Sequence, residues 1–397
     1  MKNLKGTFFA MGIAAAMLTA CAGGQEAPQL TASGLNPAKF DTIVNGDTVK
    51  LYTLKGDNGM EVCITNYGGR VVSLMVPDKD NQLVDVVLGF DNIAQYMDTQ
   101  NSPSDYGSSV GRYANRINKG RFVLNGDTIQ LKQNDKHDGG RDHCLHGGGD
   151  TGWMNKVYKA EQLDDQTLKL TIVAEDGENG FPGNVTAITT YKIVNGNTLD
   201  ITWEATTDKP TIINQTNHNY YNLSGDFEEE AGGLNQLIMV NADAWTVADD
   251  SYMPTGEIRP VEGTTMDLRQ EHAIIEGLDR EFDQVKNANG GYDHNWCLNT
   301  KGDDTQVAAS LYSPKTGIFM EMFTNEPGVQ VYTSNFQGIQ GEENIVRKLG
   351  KHYPQYIAVC LESQKYPDSP NHPEWPSPVL NPGEKYFSHA AYKFSVK

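Results

Sequence analysis

From residue 40 onward, apolar and polar side chains alternate in short runs separated by turn residues. Leu168, Leu170, Ile172 and Ala174 fall on every second position, and so do Leu199, Ile201, Trp203 and Ala205. A period of two sends neighbouring side chains to opposite faces, so each run predicts a strand with one buried face. Asn45-Gly46, Asp57-Asn58-Gly59, Pro77-Asp78-Lys79-Asp80 and Asn195-Gly196 predict the turns between strands. Residues 307–312 and 318–323, joined by Ser313-Pro314-Lys315-Thr316-Gly317, predict a hairpin. Asn325-Glu326-Pro327-Gly328 then leads into another strand over 329–333. Helical periodicity is confined to residues 92–97 and a short piece within 271–285. Strand after strand with few helices predicts an all-β sandwich or barrel rather than βαβ units. With no internal repeat, residues 39–397 read as a single domain.

Residues 356–361 break the alternation. They form a continuous apolar run, the pattern of a strand buried on both faces. The run delivers Glu362 just ahead of Pro367. A carboxylate at the mouth of a buried strand is partly desolvated, which raises its pKa from about 4.3. Such a Glu can act as a general base near neutrality. The alternative is a Glu that ends a strand and faces water.

The first residues follow a different logic. Lys2 and Lys5 precede an apolar run over 8–18, followed by Thr19-Ala20-Cys21. A basic start, a short apolar segment and small residues predict an export signal over 1–20. The run falls short of the roughly 20 apolar residues of a spanning helix. Leu18-Thr19-Ala20-Cys21 resembles a bacterial lipobox, in which Cys21 is lipidated and becomes the first mature residue. The expectation is therefore an exported protein, lipid-anchored in the cell envelope, with residues 21–38 as a flexible tether.

The formal net charge is −19, and loss of Lys2 and Lys5 with the leader makes it more negative. That argues against nucleic acid and against an anionic membrane face as partners, leaving the lipid anchor as the membrane contact. A neutral ligand such as a monosaccharide suits the charge better than an anion. Cys63, Cys144, Cys297 and Cys360 are dispersed with no Cys-x-x-Cys pair, so a thiolate zinc site is not expected. Buried free thiols are the expectation.

Several polar stretches interrupt the strand pattern. Gly111-Arg112-Tyr113-Ala114-Asn115-Arg116-Ile117 carries two guanidinium forks suited to the oxygens of a polar ligand, or simply surface arginines in a turn. Leu145-His146-Gly147-Gly148-Gly149 places a histidine where bare backbone allows a ligand to come close, or is a glycine loop with an incidental His. Asn214-Gln215-Thr216-Asn217-His218-Asn219-Tyr220-Tyr221-Asn222 concentrates amides, a His and two tyrosines. If buried, these groups need partners, which a ligand rich in hydroxyls would supply. With an ordinary pKa of about 6.5, His218 can donate a proton near neutrality. Asp267, between apolar neighbours, reads either as an acceptor for sugar hydroxyls or as the ion-pair partner of Arg269. Gly291-Tyr292-Asp293-His294-Asn295-Trp296 is a further polar and aromatic turn.

Taken in order, these pieces resemble the aldose 1-epimerase (galactose mutarotase) family, from the Gly111–Ile117 motif through Leu145-His146-Gly147-Gly148, the Asp176–Gly183 loop and Thr216–Leu223. Pro254-Thr255-Gly256-Glu257, Asp267-Leu268-Arg269, Asp293-His294-Asn295, Leu361-Glu362-Ser363-Gln364, Pro367-Asp368 with Asn371, and Asn381-Pro382-Gly383-Glu384 complete the series. The resemblance implies a large antiparallel β-supersandwich, no cofactor, and interconversion of the α and β anomers of free aldoses. It implies Glu362 as general base and His218 as general acid. It further implies that Asn115, Arg116, His146 and Asp267 orient sugar hydroxyls. Tyr113, Ser363 and the long spacing from Gly149 to Trp153 depart from the family pattern, and the last is expected to reshape one pocket wall.

The chemistry agrees with the residues. Mutarotation removes the C1 hydroxyl proton, protonates the ring oxygen, rotates the C1–C2 bond and reverses the steps. One base and one acid, on opposite sides of the pyranose, suffice, and an ionised Glu362 would raise the pKa of a nearby His218. Three other readings stand beside this one. A glycoside hydrolase would use Asp267 and Glu362 as its carboxylates. A sugar-binding lipoprotein would need no catalysis. A metal site would draw on His143, His146 and Glu362. The sequence leaves monomer or dimer open.

Overall fold

The computed structural model describes residues 29–102, 104–137, 142–339 and 341–397. The expected leader and Cys21 lie outside them. The protein is an all-β supersandwich, and every ladder between named strands among the described residues is antiparallel. Nine strands form the largest sheet, in the order Lys159–Asp164, Thr167–Ala174, Val185–Val194, Thr198–Thr207, Tyr386–Val396, Ile318–Thr324, Ala309–Tyr312, Leu237–Val240 and His272–Ala273. A six-stranded sheet runs Tyr220–Tyr221, Val359–Gln364, Gly328–Tyr332, Asp293–Leu298, Ala242–Ala248 and Pro254–Pro260. A four-stranded sheet, Leu51–Lys55, Glu61–Thr65, Arg70–Pro77 and Leu83–Asp85, completes the layers.

The alternating runs become strands with one face in the core. In Thr198–Thr207, Leu199, Ile201, Trp203 and Ala205 are buried while the residues between them are more open. Trp203 joins Trp245, Trp296, Val329 and Leu361 of the six-stranded sheet and Ile64 and Leu74 of the four-stranded sheet in one continuous core. Each such side chain contributes about 1.5–3 kcal/mol by leaving water. The turns follow their sequence signals. Asn45 and Gly46 join Thr42–Val44 to Asp47–Val49, both with positive φ, as a two-residue hairpin turn requires. The helical pieces shrink to Ile93–Met97, capped by Asn92 accepting from Gln95 N–H at 3.0 Å, and to Ile274–Gly277 and Asp283–Asn287.

The stretch expected as a tether differs in its last part. Ala32 N–H donates to Glu61 Oε1 at 2.6 Å, Ser33 Oγ reaches Ser73 Oγ at 3.0 Å, and Leu35 is buried. Small residues and one Leu give this segment enough contacts to dock from Thr31 onward, ahead of residue 39. All four cysteines in the described region are free, with Cys63, Cys144 and Cys360 buried.

One histidine ties the outer face of the nine-stranded sheet together. His389 Nε2 lies 2.9 Å from Asp200 Oδ2 and His389 Nδ1 lies 2.7 Å from Asp304 Oδ2. Two carboxylates, one on each nitrogen, require a doubly protonated ring. The hydrogen bond to Asp200, against partial burial, raises its pKa above 6.5. Because the folded value is raised, this stabilisation is complete below the unfolded value and is lost as pH rises through the folded one. His389→Asn should therefore melt below wild type at about pH 6, with the gap closing at about pH 9. A gap independent of pH would assign the effect to packing instead.

Candidate active site

Strand Val359–Gln364 lies between Tyr220–Tyr221 and Gly328–Tyr332, and all six of its residues are buried. Glu362 sits inside this strand, opposite Gln330, rather than at its mouth. Its carboxylate is thus more desolvated than the sequence suggested. His218 follows Thr216–Asn217, which pairs with Ser109–Val110. Its N–H donates to Ser108 O at 2.9 Å, and its carbonyl accepts from Gly107 N–H at 2.9 Å. The two strands bring His218 Nε2 to 3.5 Å from Glu362 Oε1, with the side chains 5 % and 2 % exposed. His218 Nδ1 and Glu362 Oε2 have no hydrogen-bond partner among the described residues.

Both groups line a cavity of about 310 Å³ shared with Asp105, Asn115, Arg116, His146 and Asp293. That volume is at the small end of ligand pockets, about 300–1,000 Å³, and suits one small ligand. Tyr220 stacks on the His218 ring at 5.1 Å, and the His146 ring meets it edge-on at 5.3 Å.

The neighbouring motifs are locked to one another. Asn115 N–H donates to His146 Nδ1 at 3.1 Å, and His146 N–H donates to Asn115 O at 3.2 Å. Gly147 packs so closely that a Cβ there would lie 2.2 Å from Gly111 O. Only glycine allows this approach, which is why the His sits beside bare backbone. Burial pushes the His146 pKa down to about 3, so the ring is neutral. With Nδ1 accepting, Nε2 carries the proton and is the donor. Arg116 donates from Nε to Asp135 Oδ2 at 2.7 Å and lies over the Tyr252 ring at 4.9 Å. Burial opposes its charge, but Asp135 and Asp293 outweigh that effect.

The second arginine of the motif has another task. Arg112 is buried and donates to Pro182 O at 2.8 Å and Gly183 O at 3.1 Å, holding the end of the Asp176–Gly183 loop. Arg70, also buried, grips Ser104 O at 3.1 Å and Tyr106 O at 3.2 Å, on either side of Asp105. Some amides around His218 find backbone partners, while both side-chain polar atoms of Gln215 and the Oδ1 atoms of Asn217 and Asn219 find none among the described residues. Asn217 donates to Gly107 O at 2.9 Å and Asn222 to Ile357 O at 2.8 Å.

Asp267 is not brought to this cavity. Met266 and Leu268 are buried, so the residue between them turns outward. Its carboxylate receives Arg269 Nε at 2.8 Å and Nη2 at 2.7 Å, and its side chain stays 29 % exposed. Asp293 lines the cavity where Asp267 does not, held by Gln330 Nε2 at 2.7 Å; Gln364 Nε2 lies 3.3 Å from Gln330 Oε1 and from Asn295 Oδ1. The hydrolase pair of Asp267 and Glu362 is therefore not assembled. His143 is likewise occupied: Lys119 N–H donates to Nδ1 at 3.1 Å and Ser251 Oγ lies 3.1 Å from Nε2. Trp153 packs against Gly111 in the core and does not line the cavity. Asp105, Tyr106, Tyr332 and Glu342 also line it, and the sequence reading did not single them out. Asp105 precedes Tyr106-Gly107, a turn signal with no periodicity to mark its direction.

The electrostatics correct one expectation. Burial pulls the His218 pKa below 6.5, with Asp105 and Asp293 pulling the other way. Burial, then Asp293 and Asp105, hold Glu362 well above the usual carboxylate range, with Arg116 opposing. Desolvation thus outweighs the lift on His218, which comes from Asp105 and Asp293 rather than from Glu362 as expected. A lowered imidazole and a raised carboxyl in contact share one proton between them. Burial acts to raise Asp105 as well, but His218, His146, Arg70 and Arg116 bring it below the ordinary value. Two sets of donors have metal-ligand spacing: Asp105, His146 and His218, and His218, Cys360 and Glu362, each set within 4.8 Å. They share His218.

The antiparallel β-supersandwich thus carries a buried His–Glu contact, ringed by charged and hydrogen-bonding side chains, in a cavity sized for one small polar ligand. Residues 50–393 match the family model described as aldose 1-epimerase. The chain is 33 % identical to the aldose 1-epimerase of Escherichia coli K12 over 88 % of this chain and 96 % of that one. It is 35 % identical to the galactose mutarotase of Mus musculus over 88 % and 95 %. Among solved structures, a galactose 1-epimerase from Lactobacillus acidophilus superposes with a TM-score of 0.75 at 28 % identity, covering 89 % of this chain and 97 % of that one. The chain belongs to the aldose 1-epimerase family and is an isomerase acting on carbohydrates.

Proposed function

We propose that this protein interconverts the α and β anomers of free aldoses of the glucose and galactose type, with Glu362 as base and His218 as acid. The observation that carries the reading is the contact of these two buried groups, each with an unpartnered atom, in one cavity. Glu362 takes the C1 hydroxyl proton while His218 gives one to the ring oxygen. The two groups, expected on opposite sides of the pyranose, stand 3.5 Å apart and leave no room for a ring between them; both oxygens are bonded to C1, so an acid and a base side by side can serve them together. The ring opens, C1–C2 rotates, and the two groups exchange tasks to close the other anomer. His146 Nε2–H, Asn115 and Arg116 supply donors to the hydroxyls, and Asp293 an acceptor. Atoms and electrons are the same on both sides, so proton transfer accounts for the reaction. Polarimetry of freshly dissolved α-glucose and α-galactose tests it: rotation should relax faster with enzyme present. Release of reducing ends from a glycoside without that relaxation would favour hydrolysis instead.

The same reading places the protein outside the cytoplasm on a lipid anchor at Cys21, supported by the basic start, the apolar run and the lipobox-like residues. Cys21→Ala should abolish incorporation of labelled fatty acid and move the protein from the membrane to the soluble envelope fraction. Unchanged labelling would sink the anchor.

A further inference from the structure

We infer that a site for a thiophilic divalent cation, zinc or cadmium, lies at the inner edge of the cavity, held by His218 and Glu362 of its lining and by Cys360 buried behind them, and that the cation shuts the site. Cys360 lies two positions before Glu362 on the same strand, so both side chains face one way. Its backbone neighbours are Tyr220 on one side and Tyr332 on the other, and both line the cavity. One donor atom from each of His218, Cys360 and Glu362 lies within 4.8 Å of the others, and all three residues are buried. Zinc bonds of about 2.0–2.3 Å set tetrahedral ligand atoms less than about 4 Å apart, so the 3.5 Å between His218 and Glu362 already has the required spacing. Glu362 Oε2 has no hydrogen-bond partner among the described residues, so the carboxylate has an oxygen to spare for a cation.

Carboxyl groups outnumber permanent cations in the cavity lining. Glu362, Asp105 and Asp293 line the cavity with Arg116 as the one arginine among the lining residues. Binding forms a metal–sulfur bond and releases the thiol proton to water, and the proton shared by His218 and Glu362 leaves with it. Hard cations gain little from a thiol, so magnesium and calcium are not expected there. With both proton-transfer groups ligated, anomerisation stops. That consequence rests on the function proposed above, whereas binding itself does not.

The test titrates full-length enzyme with cadmium and with zinc in metal-free buffer. Cadmium should produce thiolate charge-transfer absorption saturating at one equivalent. Zinc should inhibit anomerisation competitively with sugar, and a chelator should restore the rate. Cys360→Ser should abolish the absorption and weaken inhibition at least about tenfold, measured against its own metal-free rate. Cys360→Ala repeats the comparison if the serine variant melts early. Cadmium absorption that survives in Cys360→Ser, or zinc inhibition unchanged by it, would overturn the site; the latter would move the metal to Asp105, His146 and His218. Absorption at one equivalent in a protein without anomerase activity would leave the site standing and remove the proposed function instead.

Discussion

Glu362→Gln should lower the rate of anomerisation at least about a hundredfold while the protein folds as well as before, since a positioned base contributes about 10²–10⁴-fold. Glutamine has the same shape but accepts no proton. The carboxyl is 2 % exposed and its ionised form is opposed by burial and by Asp293 and Asp105. A neutral amide relieves that penalty, so the variant should melt at or above the wild-type temperature. Opposite movements of rate and stability separate a functional carboxylate from a structural one. Near-normal turnover in Glu362→Gln would remove the base assignment; a large fall in melting temperature would make Glu362 a packing residue.

Much of the molecule was legible because it obeys a period of two. Leu199, Ile201 and Trp203 point inward as their alternation requires, and Asn45-Gly46 makes the turn its backbone preferences favour. The continuous run before Glu362 marked a buried strand, but the strand starts only at Val359 and runs on through Gln364, with Tyr356 in a turn of positive φ ahead of it. Direction was harder to read. Asp267 and Asp293 each sit among polar and apolar neighbours, and only the observed burial of Met266 and Leu268 turns one outward while Gln330 holds the other in the cavity. Arg112 and Arg116 lie in one motif, yet one is spent on carbonyls of a distant loop and the other lines the cavity. Such choices depend on which strands lie next to each other. The lowered pKa of His218 was also invisible, because it needs the extent of burial and not merely the identity of the neighbour.

His218→Asn should cause a loss of the same order, again at least about a hundredfold. The variants should also titrate in opposite senses. In wild type, one shared proton makes the pair active. A second proton enters below a window of pH and the shared proton leaves above it; both steps belong to the pair, because burial draws His218 down and holds Glu362 up. The rate should therefore hold between those limits and fall outside them. With His218 absent, residual activity requires ionised Glu362 and should rise with pH through one step. With Glu362→Gln, residual activity requires protonated His218 and should fall with pH through one step. Because the two groups act on oxygens of one carbon in one event, the double variant should be scarcely slower than either single one. Losses that multiply in the double variant, or single variants that titrate in the same direction, would show that His218 and Glu362 act independently, and the shared-proton description of this pair would fail.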